Sequence, residues 1–278
     1  MRTVKILTEE EAYAEIWCDL VKRNGITPND TPSTMALKLQ SMSAVADTLD
    51  KFITRDPLML DTKERTRKLA PLMDTVLIIG PTGCGKEILA KALGGSREGF
   101  LPLNCAAFND GTVESELFGH TKGSFTDAKE SKEGVLAAAG DGTVYLDEID
   151  KMPVRIQAKL LRAIQEHEIR RIGSTVYEPI SCRFVASSKI PLEVLLEKHG
   201  FLEDLYARLS TFELHVTGLL DRWDDVGVIL RSMLIAIGKW DSSNESLPEL
   251  PEPWIPRVQR FNVRGIESYV AQLRVFGE

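Results

Sequence analysis

The sequence predicts an α/β fold, a parallel sheet flanked by helices with a smaller helical unit after it. Three observations predict it. A short apolar run, Val76-Leu77-Ile78-Ile79, closes in a glycine-rich turn from Gly80 to Gly85 that opens a helix-forming stretch. A second β-branched and aromatic run, Thr143-Val144-Tyr145-Leu146, ends in Asp147-Glu148 and precedes an amphipathic stretch from Met152 to Glu166. A third strand candidate runs from Cys182 to Ala186. Strands alternating with helices in this way argue for a parallel sheet.

Taken in order, residues 1–73 read as charged and helical. Ala12, Ile16, Leu20 and Val21 have helical apolar spacing behind Glu9-Glu10-Glu11, a solvated helix start, and Asn24-Gly25 stops the pattern. The turn-rich Thr27-Pro28 to Pro32 is a linker. A second helix is expected from Ser33 to Ile53, with Leu37, Val45, Leu49 and Phe52 on one face, and Asp56-Pro57 ends it. The strand at Val76–Ile79 then leads through the glycine turn into Glu87 to Leu93, which has helix-forming composition. In the Met152–Glu166 stretch, Ile156, Leu160, Leu161 and Ile164 share one core-facing side. The last third reads as helical, with a loop at the prolines Pro248, Pro251, Pro253 and Pro256 and a final helix from Val263. The expected division is a helical N-terminal region at 1–73, an α/β unit at 74–217 and a helical subdomain at 218–278.

Composition bounds the function. The chain's 278 residues suffice for a full hydrophobic core without disulfides or metals. Hydrophobic residues at 43% and charged residues at 27% exclude a disordered or fibrous chain. A net charge of −7 argues against a general nucleic-acid binder. Cys18, Cys84, Cys105 and Cys182 form no C-x-x-C pair, and the four histidines lack metal-ligand spacing. Reduced thiols in a cytoplasmic protein are expected. The charged N-terminus lacks the apolar core of a signal peptide, and no apolar run approaches the roughly 20 residues of a membrane span. Trp223, Trp240 and Trp254 are expected to pack rather than to stack on bases.

Two motifs carry chemistry. Gly80-Pro81-Thr82-Gly83-Cys84-Gly85-Lys86 fits G-x-x-x-x-G-K. Glycines at these positions let backbone N–H groups curl around phosphate oxygens, the following helix points its positive end at the same anion, and Lys86 reaches the β- and γ-phosphates. Glu87 stands where Ser or Thr usually ligates Mg²⁺, followed by Ile88. In the second motif, Asp147 at the strand end would hold Mg²⁺, and Glu148 would polarise an attacking water as general base.

Further residues carry a resemblance. Glu116-Leu117-Phe118-Gly119-His120 through Gly123-Ser124-Phe125-Thr126-Asp127-Ala128 resembles the E-L-F-G-H-x-x-G-A-F-T-G-A signature of sigma-54-dependent transcription activators, the bacterial enhancer-binding proteins. Glu87 after the lysine is also that family's form of the phosphate loop. Leu103-Asn104-Cys105, Gln157 to Gln165, Arg171-Ile172-Gly173, Phe201 to Leu209 and Asn262-Val263-Arg264 extend the likeness over roughly residues 75–275.

The resemblance implies an AAA+ P-loop NTPase with a C-terminal helical lid that hydrolyses Mg²⁺-ATP in a homo-oligomeric ring, a hexamer in this family. The ring would remodel the sigma-54 factor in RNA polymerase holoenzyme and so regulate transcription. By the same resemblance Asn104 restrains the catalytic Glu148, Arg208 is the finger reaching into a neighbour's site, Arg264 is the lid's nucleotide sensor, and Phe125-Thr126 tip the loop that engages the sigma factor. Leu202 replaces a first finger arginine, Ser188 a sensor asparagine, and Ser124 and Asp127 depart within the signature loop. Leu219 to Val226 keeps part of the family's L-R-x-R-x-x-D-I run. The chain ends soon after Arg264, so no DNA-binding domain is expected. Two alternatives stand beside this reading: a phage or mobile-element AAA+ ATPase with another target, and a non-hydrolysing ATP-binding scaffold.

Overall fold

Val76–Ile79 is buried along its whole length and forms the strand β1 of a five-stranded sheet. The computed structural model describes residues 31–94, 99–107, 110–126, 128–198 and 200–277. The helix expected near residues 8–21, with Glu9-Glu10-Glu11, and Cys18 and Asp127 lie outside them.

The remaining strands are β2 (Phe100–Asn104), β3 (Gly119–His120), β4 (Lys132–Glu133), β5 (Thr143–Asp147), β6 (Glu168–Ile169), β7 (Glu178–Pro179), β8 (Arg183–Ser188) and β9 (Phe212–His215). The main sheet has the order β2-β5-β8-β1-β9, every pairing parallel. Two short antiparallel pairs, β3 with β4 and β6 with β7, stand apart from it.

Because successive strand residues face opposite sides, the sheet feeds two cores. Leu77, Ile79, Val144, Leu146, Phe184 and Ala186 face the helix Val154–Glu166. Val76, Ile78, Tyr145 and Val185 face the helix Lys86–Gly94, with Leu89 and Leu93. Ile156, Leu160 and Ile164 are buried as the helical spacing predicts.

Two of the five main-sheet strands, β2 and β9, escape the sequence pattern, and both are edges. An edge strand needs no continuous apolar run. β2 even carries Pro102, a residue confined to edges because it cannot donate to a ladder.

The largest difference concerns Asp56-Pro57. The second helix spans Pro32–Asp50, close to expectation, but Asp56-Pro57 begins a further helix, Pro57–Leu69. Asp56 Oδ1 accepts the Met59 N–H at 2.9 Å, and proline suits the first helical position because that N–H has no helical partner. This helix buries Met59, Thr62, Thr66 and Leu69. Two of the four are threonines, which hide the apolar period; their hydroxyls donate back to Leu58 O and Thr62 O. Val45, Leu49, Phe52, Met59 and Leu69 share a core with β1, so the α/β unit draws on residues well before 74.

Arg183 ties these pieces together. Its fully buried guanidinium donates to Asp74 O, Ala70 O, Leu93 O and Leu69 O at 2.9–3.1 Å. Leu69, Ala70 and Leu93 lie at helix ends, where carbonyls lack intrahelical partners, and Asp74 lies just before β1.

The helices Asp225–Ala236, Ile255–Phe261 and Val263–Phe276 form a third core around Leu219, Leu230, Val258 and Ile266. The proline cluster is not only loop. Pro253 and Pro256 sit in the first turns of the short helix Glu252–Trp254 and of Ile255–Phe261. Trp254 packs on Tyr269 and Trp240 on the third core, whereas Trp223 is exposed. No described helix is long and apolar enough to cross a membrane.

Candidate functional site

The loop from Gly80 to Gly85 connects β1 to the helix Lys86–Gly94. Gly83 and Gly85 have φ of +75° and +110°, where L side chains are strained. Space forbids side chains as well: a Cβ on Gly83 would lie 2.3 Å from Phe261 O, and one on Gly85 2.7 Å from the Phe52 ring. Lys86 Nζ donates to Gly80 O at 2.7 Å and Pro81 O at 3.0 Å, which folds its ammonium over the loop. Cys84 is buried, and burial pushes its thiol above the usual range, so it packs rather than reacts. Ile88 packs beneath the helix, while Glu87 pairs with Lys91 at 2.7 Å on its surface.

Across the sheet, β5 delivers Asp147 to the same end. Asp147 Oδ1 accepts from Tyr145 Oη at 3.0 Å, Ser187 Oγ at 2.5 Å and the Glu148 N–H at 3.1 Å. Its Oδ2 accepts from Asn104 Nδ2 at 3.4 Å. Glu148 is held at φ +51°, ψ +48°, a left-handed turn that few non-glycine residues adopt, which breaks the strand immediately after Asp147. Its carboxylate lies 3.8 Å from Lys189 Nζ.

The resemblance implies that Asn104 restrains Glu148; in the structure the Asn104 amide meets the neighbouring Asp147. Asn104 is in register with Asp147 across β2 and β5, and its amide reaches that residue, while the turn at 148 leaves Glu148 to Lys189. Ser188 turns back on its own loop. Its hydroxyl donates to Ile190 O and accepts the Ile190 N–H, tying up its own turn. Ser187, one position earlier, serves the site.

The helical subdomain closes over the loop at Asn262. Asn262 Nδ2 donates to Thr82 O at 2.9 Å, its Oδ1 accepts the Leu219 N–H at 2.7 Å, and Val263 N–H donates to Gly83 O at 3.0 Å. Asn262 holds φ +55° to make these bonds. They set Arg264 beside the loop, with its Cγ 3.3 Å from a Cβ placed on Gly83.

One cleft therefore gathers Thr82, Gly83, Gly85, Lys86, Glu87, Ile88, Asp147, Glu148 and Arg264. Tyr145, Ser187 and Lys189 also line it, and sequence reasoning gave them no role. Tyr145 and Ser187 lie in strands, where period-2 patterning marks them only as buried. Their hydroxyls become legible once β5 and β8 are paired side by side.

Arg208 and the signature loop lie elsewhere. Arg208 is exposed on the helix Glu203–Leu209 and does not line the cleft. Leu202, at the replaced arginine position, is half-buried against the core and caps that helix, its N–H donating to Gln157 Oε1 at 2.8 Å. Phe125 and Thr126 are exposed at the tip between β3 and β4. The base of this loop is braced: the His120 ring meets Ser115 Oγ at 2.7 Å and Glu130 O at 3.0 Å, and packs edge-on to Phe125. Thr121 N–H donates to Ile172 O, so the Arg171-Ile172-Gly173 motif supports the loop from below.

Residues 52–215 match the family model described as the sigma-54 interaction domain. The chain belongs to the sigma-54 interaction domain family. Among curated proteins, the sigma54-dependent transcriptional activator SfnR of Pseudomonas putida is 41% identical over 186 residues, covering 66% of this chain and 51% of SfnR. The regulatory protein AtoC of Escherichia coli K12 is 37% identical over 224 residues, 76% of this chain and 48% of AtoC. The chain thus spans about half the length of these relatives. The crystal structure of NtrX from Brucella abortus superposes with a TM-score of 0.67 at 26% identity, over 87% of this chain and 56% of NtrX. With the sheet order above, the sigma-54 interaction domain described here has the AAA+ α/β fold.

Proposed function

We propose that this sigma-54 interaction domain binds and hydrolyses Mg²⁺-ATP as a homo-oligomeric ring in the cytoplasm, and uses the cycle to remodel the sigma-54 factor in RNA polymerase holoenzyme. The observation that carries the reading is the convergence of Lys86, Asp147, Glu148 and Arg264 on one cleft under the glycine loop.

The residues fit both groups. The positive φ at Gly83 and Gly85 gives the loop the curled backbone that a phosphate nest requires. Asp147 keeps Oδ2 nearly clear, with one long contact, while Oδ1 takes three donors, so the acid is oriented with one oxygen available to Mg²⁺ or its water shell. Bound Mg²⁺ supplies charge neutralisation on the phosphates. Lys86 and Arg264 bring positive charge to the same phosphates from the loop and the lid. Glu148 accepts a proton from the attacking water, and Lys189 holds its carboxylate in the cleft until nucleotide competes for the ammonium. Arg208 faces outward and acts on a neighbour's nucleotide.

Phe125 and Thr126 form the contact to sigma-54. An exposed aromatic on a braced loop, remote from the cleft, is suited to a partner rather than to the nucleotide. Thr126→Ala is expected to keep ATP turnover and lose capture of sigma-54 in the presence of a transition-state analogue, measured by pulldown. Retained capture places the contact elsewhere.

A second reading, a non-hydrolysing ATP-binding scaffold, is favoured by Leu202 tucked against the core and by Ser188 turned into its own backbone. Steady-state hydrolysis decides between the two. Lys86→Ala tests both, because it removes a charge-assisted phosphate contact of about 1.5–3 kcal/mol. Calorimetry is expected to show ATP affinity reduced by roughly tenfold or more. Equal affinity refutes the phosphate loop.

A further inference from the structure

We infer that Arg222 is a positioning residue for the phosphate-binding loop, and that through it the segment 52–55 sets the loop's shape. The inference rests on the nucleotide reading above and adds a control point to it.

Arg222 stands at the start of the helical subdomain and is 5% exposed. Every arm of its guanidinium is used. Nη2 donates to Cys84 O at 3.0 Å, Nη1 to Asp225 Oδ2 at 2.9 Å and Nε to Thr217 O at 3.2 Å. Its plane also lies over the Phe52 ring, 5.4 Å from Cζ to the centroid. Asp225 is fully buried and accepts Thr54 Oγ1 and the Arg55 N–H, each at 2.6 Å. One ion pair thus joins three pieces of chain: the glycine loop, the first turn of the helical subdomain, and the strip that precedes Pro57.

The effect on the loop follows from peptide geometry. A trans peptide is planar, so the Cys84 carbonyl and the Gly85 N–H point in opposite directions. Drawing Cys84 O inward to Arg222 turns the Gly85 N–H outward, and Gly85 lines the cleft. The Phe52 ring fills the space a side chain on Gly85 would need and backs the loop from the same side as Arg222. A buried ion pair is poor value as a stabiliser, since desolvation offsets its attraction, yet it is demanding about geometry. Losing the contact from Thr54 or Phe52 loosens the guanidinium, and the loop amide loses its aim. By linkage the coupling runs both ways: nucleotide on the loop tightens 52–55, and any partner or segment that pulls on 52–55 changes nucleotide affinity.

The test uses the full chain and a fluorescent ADP analogue, with thermal melting as the check on folding. Arg222→Met is expected to lower ADP affinity about tenfold, the order of one charge-assisted hydrogen bond. Arg222→Lys, which cannot fork to Cys84 O, Asp225 and Thr217 O together, recovers only part of it. Thr54→Val and Phe52→Leu keep the buried volume closer and are expected to weaken ADP while melting near the wild type. If Arg222→Met fails to fold, these two still decide. Hydrogen exchange supplies a readout that a purely structural role would leave unmoved: ADP protects the amides of 52–55 in the wild type and fails to protect them in Thr54→Val. Wild-type ADP affinity in both milder variants, with Lys86→Ala defective, overturns the coupling and leaves the nucleotide site standing. A wild-type chain that binds no ADP overturns both.

Discussion

Arg208→Ala is expected to bind ATP as the wild type does and to turn it over about 10³–10⁵ times more slowly. Lys86, Asp147 and Glu148 line one cleft, and Arg208 stands outside it on the exposed face of the helix Glu203–Leu209. On the proposed reading, an arginine so placed acts on a neighbour's phosphate across a subunit boundary, which a head-to-tail ring supplies. Leu202, directed at the core, provides no second cation in this helix, so no backup dilutes the effect. Specific turnover should rise with protein concentration until the ring saturates. Mixing Arg208→Ala with Lys86→Ala gives the sharper measurement: some interfaces then pair an intact finger with an intact loop, and activity partly returns. Concentration-independent turnover with no recovery on mixing places Arg208 outside the reaction.

Glu148→Gln is expected to lower turnover by about 10²–10⁴ while ATP still binds with Mg²⁺. Glutamine keeps the size of the side chain and its place in the left-handed turn at residue 148 but accepts no proton. Asp147 keeps the four donors around it in this variant. The variant should therefore accumulate the ATP-bound assembly, visible by size-exclusion chromatography with ATP. Wild-type turnover assigns the base elsewhere. Asp147→Asn should instead shift the Mg²⁺ dependence, which separates the two neighbouring acids by their readouts.

The parts of the molecule legible in advance share a physical origin. β1, β5 and β8 occupy the middle of the sheet, so each is buried on both faces and carries a short apolar run, only Phe184-Val185-Ala186 in β8. Gly83 and Gly85 are glycines because the backbone there has positive φ and another chain segment presses on the missing side chain. Local constraints of this kind leave local traces. The helix Pro57–Leu69 left none that periodicity could find, since Thr62 and Thr66 satisfy their hydroxyls on helix carbonyls and then bury like apolar residues. Its N-cap was present in the sequence as Asp56-Pro57, a pair that serves equally to end one helix or begin another.

The parallel α/β plan, the glycine loop with Lys86 and the acidic pair at the end of β5 can be read from the chain alone, because each is a contiguous stretch shaped by its neighbours in sequence. Their surroundings come from contacts between distant segments. Parallel pairing sets Asn104 beside Asp147 and brings Ser187 to the same carboxylate, and the turn after β8 carries Lys189 to Glu148. Closure of the helical subdomain places Asn262, Arg264 and Arg222 against a loop well over a hundred residues earlier in the chain. A hydroxyl or guanidinium used in this way carries no local signature, since its partner is defined by a pairing between distant segments, and that pairing is fixed by burial of the whole sheet rather than by the residue that exploits it.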